Sequence, residues 1–326
     1  MNPLQKIGAF AAALTATFGA AYGVGGLLGP LAPETEPAPH AASHAASGTA
    51  SEDHAAEDPA SPPPGDLVPA GLQVSQDGYT LDLETTAVPA GRKATLRFVV
   101  RDAGGRPVTR YETAHGKQLH LILASRELTT YRHLHPARAA DGTWSTTADL
   151  PAAGGYRVFA DFVPAGRAQG LTLGSDLTVT GPYRAARPPA PAATTTVDGY
   201  TVTLAGALRA GGESDLTFTV RRAGRPVTGL QPHLGAYGHL VALRSGDLAY
   251  LHVHPHEEAE GEATSGPGVS FSATAPSAGT YRLFLDFKVA GTVRTAAFTV
   301  RTGSGAPAAP PSAHPSGTGG GPSHGH

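Results

Sequence analysis

The sequence predicts an all-β protein in which two tandem antiparallel β-sandwiches follow an N-terminal transmembrane helix. Three observations favour this fold class. The 326 residues contain an internal repeat of about 110 residues, both copies are built of short alternating apolar segments, and one long uncharged apolar stretch precedes them. Short strands separated by turn residues every ~8–12 positions are typical of antiparallel sandwiches.

The internal repeat is recognisable in three short motifs that return in the same order. DGYT occurs at 77–80 and 198–201, RPVT at 106–109 and 225–228, and YR at 156–157 and 281–282. Seven strands are predicted in each copy: 79–83, 94–100, 118–123, 131–135, 144–150, 156–162 and 176–180, then 200–204, 215–220, 239–243, 250–254, 269–275, 281–287 and 296–300. A repeat of this length indicates duplication of one folded unit.

A local signature refines the type of sandwich. Gly279-Thr280-Tyr281, matched by Gly154-Gly155-Tyr156, has the pattern of the tyrosine corner that opens strand F in immunoglobulin-like sandwiches. With 281–287 as strand F, 239–243 becomes strand C and 250–254 becomes C′, so the predicted sheet order is G-F-C-C′. The predicted fold is therefore a tandem pair of immunoglobulin-like antiparallel β-sandwiches.

The N-terminal segment predicts export. Residues 7–28 carry no charge and are long enough to cross a bilayer as a helix, with Lys6 before them and acidic residues after them. This favours a single-pass membrane anchor with the bulk of the chain extracytoplasmic; the alternative is a cleaved signal peptide and a secreted protein. The predicted segments are an anchor at 1–32, a linker at 33–70, sandwiches at 71–181 and 195–302 joined by a linker at 182–194, and a His-containing tail at 303–326.

The composition limits the kinds of partner and metal ligand that the protein can use. A net charge of −2 with only 15% charged residues argues against a nucleic-acid partner bound through phosphates. Cysteine is absent and the only methionine is Met1, so any metal must be held by imidazole and carboxylate. No catalytic motif is present, and we do not expect an enzyme. The 15 histidines are the one compositional excess.

Histidines recur in both copies at the same spacing. His133 and His135 follow His120 by 13 and 15 residues, and the second copy repeats this spacing from its own first histidine. In the second copy, a hairpin turn at residues 245–247 would place His239 opposite His254, with Cβ atoms about 5 Å apart. His252 lies on the same face of C′.

Strand F adds a carboxylate to each predicted cluster. Asp286 is expected on the outward face of strand F, beside the start of strand C. The predicted metal ligands are His239, His252, His254 and Asp286 in the second copy, and His120, His133, His135 and Asp161 in the first. Such donors suit a divalent transition metal, with Cu(II) favoured over Zn(II). His115, His233 and His256 are expected in solvated loops.

Two segments carry a family resemblance. Residues 234–244 (LGAYGHLVALR) and 248–255 (LAYLHVHP), with 281–287 (YRLFLDF), are similar to actinobacterial exported or membrane-anchored proteins with a YtkA-like domain, some of them labelled heavy-metal-binding. The first copy departs from this pattern at 113–118. The resemblance implies an exported immunoglobulin-like sandwich connected with copper handling.

These expectations combine into one functional prediction and two alternatives. The main prediction is a membrane-anchored extracytoplasmic protein that binds a divalent metal through His and Asp side chains and buffers or delivers it. The first alternative is a structural or protein-interaction module of the cell envelope without a metal site. The second is a pH-responsive surface module, because clustered imidazoles repel one another once protonated.

Overall fold

The computed structural model describes residues 68–302, apart from residues 252, 260 and 262. This part of the chain consists of strands, turns and loops, and no helix in it is long and apolar enough to cross a membrane. The predicted anchor, most of the first linker and the tail lie outside the described residues. Both sandwiches belong to one compact unit of the chain.

The first domain is a sandwich of two five-stranded sheets. Its strands are β1 Ser75–Gln76, β2 Tyr79–Leu83, β3 Ala87–Pro89, β4 Lys93–Arg101, β5 Leu119–Ser125, β6 Tyr131–Leu134, β7 Ala137–Arg138, β8 Thr143–Asp149, β9 Gly154–Phe162 and β10 Leu171–Thr180. One sheet has the order β1-β2-β4-β8-β7 and the other β3-β10-β9-β5-β6. The second sheet contains the predicted G-F-C-C′ order as β10-β9-β5-β6, with β3 added in parallel to β10.

The second domain is also a sandwich of two sheets, one of six strands and one of four. Its strands are β11 Thr194–Val197, β12 Tyr200–Ala205, β13 Glu213–Arg222, β14 Arg225–Pro226, β15 Leu230–Gln231, β16 Gly238–Arg244, β17 Val253–Pro255, β18 Gly268–Thr274, β19 Thr280–Val289 and β20 Thr292–Arg301. One sheet has the order β11-β12-β13-β18-β17, and in the other β19 pairs with β15, β16 and β20. The predicted fold class, two tandem immunoglobulin-like sandwiches, is confirmed.

The tyrosine corner forms in both domains. The hydroxyl of Tyr156 donates to the carbonyl of Ala152 at 2.9 Å, and the hydroxyl of Tyr281 donates to the carbonyl of Ser277 at 2.7 Å. Each tyrosine ring is buried, and its hydroxyl fixes the turn that leads into strand F. This local motif therefore located strand F correctly in both copies.

The prediction that residues 250–254 form a C′ strand in the second domain is wrong. The hairpin begins in the expected register, because Tyr250 lies opposite Leu243 and the N–H of Leu251 donates to the carbonyl of Ala242. The chain then crosses to the other sheet, where His254 in β17 lies opposite Ser272 in β18. In the first domain the same crossover comes later, since β6 stays beside β5 as far as Leu134.

Each sandwich encloses its own apolar core. In the first domain the core contains Phe98 and Trp144, whose rings stack 6.3 Å apart. In the second it contains Phe218, which contacts the rings of Phe271 and Phe298. The alternating inward residues of β4, β8, β13, β18 and β20 supply these side chains, as expected for sandwich strands.

A third apolar cluster joins the two domains. It lies between the outward faces of the β5–β9 and β16–β19 strand pairs and consists of Ile122, Ala124, Leu128, Tyr131, Phe159, Val241, Leu243, Leu248 and Phe284. Every residue of β5 is buried, because one face of this strand packs in its own core and the other against the second domain. A strand covered on both faces has no polar alternation.

The contacts between the domains are reciprocal. Tyr131 of the first domain stacks on Phe284 of the second, with ring centroids 4.1 Å apart, and Tyr250 of the second contacts Phe159 of the first at 5.6 Å. Tyr131 and Tyr250 hold equivalent places in the two copies, as do the two phenylalanines. The two domains thus present the same surface to each other, in the manner of an isologous dimer interface.

The chain just before the first domain also contacts the second. The N–H of Tyr250 donates to the carbonyl of Ala70 at 2.9 Å, and the N–H of Gly71 donates to the carbonyl of Thr172 at 2.8 Å. Gly71 has φ +74°, and a Cβ there would lie 2.5 Å from the ring of Phe159. Only glycine satisfies both the backbone angle and the space at this position.

Candidate metal centre

A group of histidines and aspartates lies at one end of the contact between the domains. Strands β5, β6 and β9 of the first domain and β16 and β19 of the second bring their polar outward residues to this place, together with one loop histidine from each domain. Among the described residues the group consists of His115, His120, His133, His135, Asp161, His233, His239 and Asp286, and we call it the histidine cluster.

His120 and His133 are the closest pair in the histidine cluster. Nδ1 of His120 lies 3.1 Å from Nε2 of His133. The other nitrogen of each ring is already engaged: Nε2–H of His120 donates to the carbonyl of Ala114 at 3.2 Å, and Nδ1–H of His133 donates to the carboxylate of Asp286 at 2.9 Å. Carbonyl and carboxylate oxygens are acceptors only, so both of these ring nitrogens carry a hydrogen.

This arrangement leaves two lone pairs facing each other. A neutral imidazole has one N–H, and in both His120 and His133 this N–H donates to an oxygen atom. The facing nitrogens, 3.1 Å apart, would then repel unless a cation lies between them. A proton can do this, and so can a metal ion, because two nitrogens bound to one tetrahedral Zn²⁺ are about 3.4 Å apart.

His135 adds a third imidazole beside this pair. Ligand nitrogens of His120, His133 and His135 all lie within 4.8 Å of one another. Nε2 of His135 is buried and has no hydrogen-bond partner among the described residues. A buried polar atom without a partner is uncommon and commonly marks a site for a water or an ion.

Asp286 fixes the orientation of His133 from the second domain. One carboxylate oxygen accepts the Nδ1–H of His133, and the other accepts the hydroxyl hydrogen of Thr295 at 2.5 Å. The side chains of His133 and Asp286 are 4% and 3% exposed, so this contact is shielded from water. A carboxylate behind an imidazole is the usual outer partner of a metal-binding histidine, since it sets the tautomer and raises the basicity of the far nitrogen.

Burial favours the neutral form of four imidazoles in the cluster by lowering their pKa values. It lowers the pKa of His120 to about 3 and that of His135 to about 4, and nearby His133 lowers both further. Burial also lowers the pKa of His239 well below its usual value and lowers that of His233. Neutral imidazole is the form that binds metal, so these nitrogens are available at neutral pH.

His239 reaches the cluster from the second domain. Its ring stacks on that of His120, with centroids 5.5 Å apart and planes 12° apart, and lies 4.8 Å from that of His133. Stacking presents the face of a ring, whereas ligation requires its nitrogen in the ring plane. His115 flanks His239 at 5.7 Å on one side of a cavity of about 20 Å³.

The structure brings some of the predicted metal ligands together and places others differently from the prediction. His120, His133 and His135 come together as expected, and Asp286 joins them rather than a cluster of its own domain. His239 lies opposite Asp286 in the β16–β19 pair, as predicted, but His254 is on the other sheet, opposite Ser272.

Asp161 belongs to the histidine cluster but is not part of the group of three imidazoles whose nitrogens lie within 4.8 Å of one another. Asp161 lies opposite His120 in the β5–β9 pair, and its carboxylate accepts the hydroxyl hydrogen of Thr172 at 3.1 Å. Burial raises the pKa of Asp161. His252 lies outside the described residues. The expectation of one complete cluster in each domain is therefore replaced by one cluster shared between the domains.

Sequence reasoning overlooked several members of the cluster. His115 is exposed, as expected, but its ring lies 6.1 Å from that of His120. His233 was expected to be solvated and is instead partly buried, with its ring 6.4 Å from that of His135. A signal was available on the outward face of strand F, where Phe159 and Phe284 occupy positions expected to face water. A large apolar residue at the same outward position of both copies indicates a covered surface.

Acidification is expected to destabilise the protein through these buried rings. Unfolded histidines have a pKa near 6.5, so below that pH the unfolded state binds protons that His120 and His135 in the folded state do not. Stability through these two groups should be constant above about pH 7 and fall toward about pH 4. Urea unfolding in a chelator at several pH values measures this slope.

Two variants test whether His120 and His135 cause the pH dependence of unfolding. Replacing both His120 and His135 by glutamine should flatten the pH dependence, and His256→Gln, which removes an exposed histidine outside the histidine cluster, is the control. An unchanged slope in the double variant would contradict the assignment of these two rings as buried neutral groups.

Fold and site together define a class: tandem immunoglobulin-like sandwiches that share a histidine cluster at their contact. The chain belongs to the family described as "Domain of unknown function (DUF8832)", whose profile matches it twice, at residues 73–178 and 195–304. Among curated proteins, none matches this sequence.

Solved structures that match this chain include an adhesin and an S-layer protein. The Escherichia coli adhesin FdeC is 18% identical over 71% of this chain and 65% of its own, with a TM-score of 0.24, so this chain spans less than two thirds of FdeC. Yersinia pseudotuberculosis InvD is 16% identical over 70% of this chain and 58% of its own, at 0.22. Domains 5–6 of the S-layer protein SbsC are 13% identical over 69% and 98%, at 0.20. TM-scores this low carry no inference about function.

Proposed function

We propose that this protein binds a divalent transition metal ion between its two domains, through His120, His133 and His135, and that it buffers or delivers this metal outside the cytoplasm. The uncharged N-terminal segment would anchor it to the cell membrane. The proposal rests on one observation. Nδ1 of His120 and Nε2 of His133 face each other at 3.1 Å, while the other nitrogen of each ring donates its N–H to an oxygen acceptor.

The donor set favours particular ions. Three neutral imidazoles, one of them held by a carboxylate, suit Cu(II) or Zn(II), and Cu(II) binds more tightly to such nitrogen donors. The chain has no thiol and no thioether inside the described domains that would select a softer ion.

Within this proposal the other predicted ligands take different roles. His239 supports His120 by stacking on it, and Asp286 orients His133 from behind. Binding would draw nitrogens that now lie up to 4.8 Å apart toward the 3.4 Å or so of a tetrahedral site. It would also replace any proton between His120 and His133, so affinity should decrease as the pH falls.

A structural or interaction module of the cell envelope is the second candidate function. The interdomain apolar cluster favours it, because nine buried side chains hold the two sandwiches together without any metal.

Calorimetric titration with Cu(II) and Zn(II) separates the two functions. The full chain should bind one ion with a Kd of 1 μM or tighter, and the double variant His120→Ala/His135→Ala should lose this site. His256→Ala, which removes an exposed histidine outside the cluster, serves as the matched control and should bind like the parent. Equal binding by all three proteins would mean that other histidines bind the metal. If the parent binds neither ion at micromolar concentration, the envelope module becomes the favoured function.

A further inference from the structure

An open cleft lies beside the three proposed metal ligands. It has a volume of about 430 Å³ and is lined by His133, His135, His233 and Asp286 together with Tyr131, Arg132, Val293 and Thr295. A cleft of this size accommodates a small molecule. The walls come from β6 of the first domain and from β19, β20 and the loop before β16 of the second.

Two buried polar atoms belong to residues that line this cleft. The hydroxyl of Tyr131 and Nε2 of His135 are both buried, and neither has a hydrogen-bond partner among the described residues. Buried polar groups are nearly always satisfied by protein, water or ligand. Metal binding satisfies His135 but leaves the Tyr131 hydroxyl, which can donate to an oxygen atom in the cleft.

The lining of the cleft contains one residue of each charge, Arg132 and Asp286. The guanidinium of Arg132 donates to the carbonyls of Asp149 and Tyr131, which are neutral acceptors, and forms no ion pair among the described residues. The carboxylate of Asp286 accepts hydrogen bonds from His133 and Thr295, and these leave its negative charge in place. A metal ion held by three neutral imidazoles would add two further positive charges, so the cleft attracts an anion.

Three protein ligands leave a coordination position open. Metal sites that exchange ligands or act on substrates characteristically keep one position for water or a small molecule, whereas purely structural sites are closed by four protein ligands. The cleft meets the proposed centre at His133 and His135, so its contents could reach that position.

We propose that this cleft binds a small carboxylate-bearing molecule, which completes the coordination of the metal while its oxygens contact Arg132 and the Tyr131 hydroxyl. This inference rests on the proposed function. It identifies the centre as a ternary site, in which the metal is bound and released together with a small anionic ligand.

Anion titration of the copper-loaded full chain tests the proposal. Azide should produce an azide-to-copper charge-transfer band and change the copper electron paramagnetic resonance spectrum, and acetate should suppress the band by competition. Arg132→Gln should weaken acetate binding roughly tenfold, through loss of a charged hydrogen bond. Arg126→Gln, which alters an arginine paired with Asp176 on an exposed surface, should not weaken it.

A second variant tests the cleft by its shape. Val293 is 41% exposed on the cleft wall, and Val293→Trp should block azide and acetate while the copper affinity stays that of the parent. Copper binding without any spectral response to azide or acetate would overturn the carboxylate site and leave the metal site standing. Absence of copper binding would overturn both, and the calorimetric titration identifies that case.

Discussion

Asp286→Asn is expected to lower the affinity for Cu(II) or Zn(II) by ten- to a hundredfold. The carboxylate accepts the Nδ1–H of His133 from across the domain contact and so leaves Nε2 as the ligand atom. An uncharged amide no longer raises the basicity of that nitrogen, and its NH₂ group can donate to Nδ1 and reverse the tautomer. Calorimetric titration of the full chain measures the change.

Asp161 offers a matched control for this substitution. It occupies the equivalent position in the first domain, opposite His120 as Asp286 is opposite His239, and it has the same kind of threonine partner. Among the described residues no imidazole forms a hydrogen bond with Asp161. Asp161→Asn should therefore bind metal like the parent, and an equal loss in both variants would contradict a centre oriented by Asp286.

Phe284→Ala is expected to separate the unfolding of the two domains. Phe284 is 2% exposed and stacks on Tyr131 across the contact, and truncation of a buried phenylalanine typically costs about 3–5 kcal/mol. Because Phe284 faces the other domain rather than its own core, most of this loss should fall on the coupling between the domains.

The chain contains its own probe for this experiment. Trp144 is the only tryptophan and lies in the core of the first domain, so its fluorescence reports on that domain, whereas circular dichroism reports on both. The two urea transitions should coincide in the parent and separate in Phe284→Ala. Tyr183→Ala removes an aromatic side chain that is 54% exposed and should leave them coincident. Coincident transitions with an unchanged midpoint in Phe284→Ala would show that the domains are not coupled here.

Local patterns predicted the fold well where one motif determines one element. The Gly-x-Tyr corner located strand F in both copies, and the turn at 245–247 set the correct register at Leu243 and Tyr250. The error came at the next residues. Whether a strand continues beside its partner or crosses to the opposite sheet depends on how the whole sandwich closes, and alternation in residues 250–254 is the same in either case.

The candidate site was predicted in part for a related reason. Spacing brought His120, His133 and His135 together because all three belong to one hairpin. Spacing could not predict the hydrogen bond between His133 and Asp286, because these residues lie 153 positions apart in different domains. Contacts between domains depend on which outward surfaces are covered, and the only local indication was the apolar outward residue on each strand F.

The reciprocal pairing of Tyr131 with Phe284 and of Tyr250 with Phe159 has an evolutionary consequence. A face that fits its own duplicate is self-complementary, so one unduplicated domain bearing it could associate with an identical molecule. Joining two such partners in one polypeptide makes their association independent of concentration and frees the halves to diverge. The early departure of β17 from β16 is one such divergence, and it leaves the first repeat as the donor of all three proposed ligands.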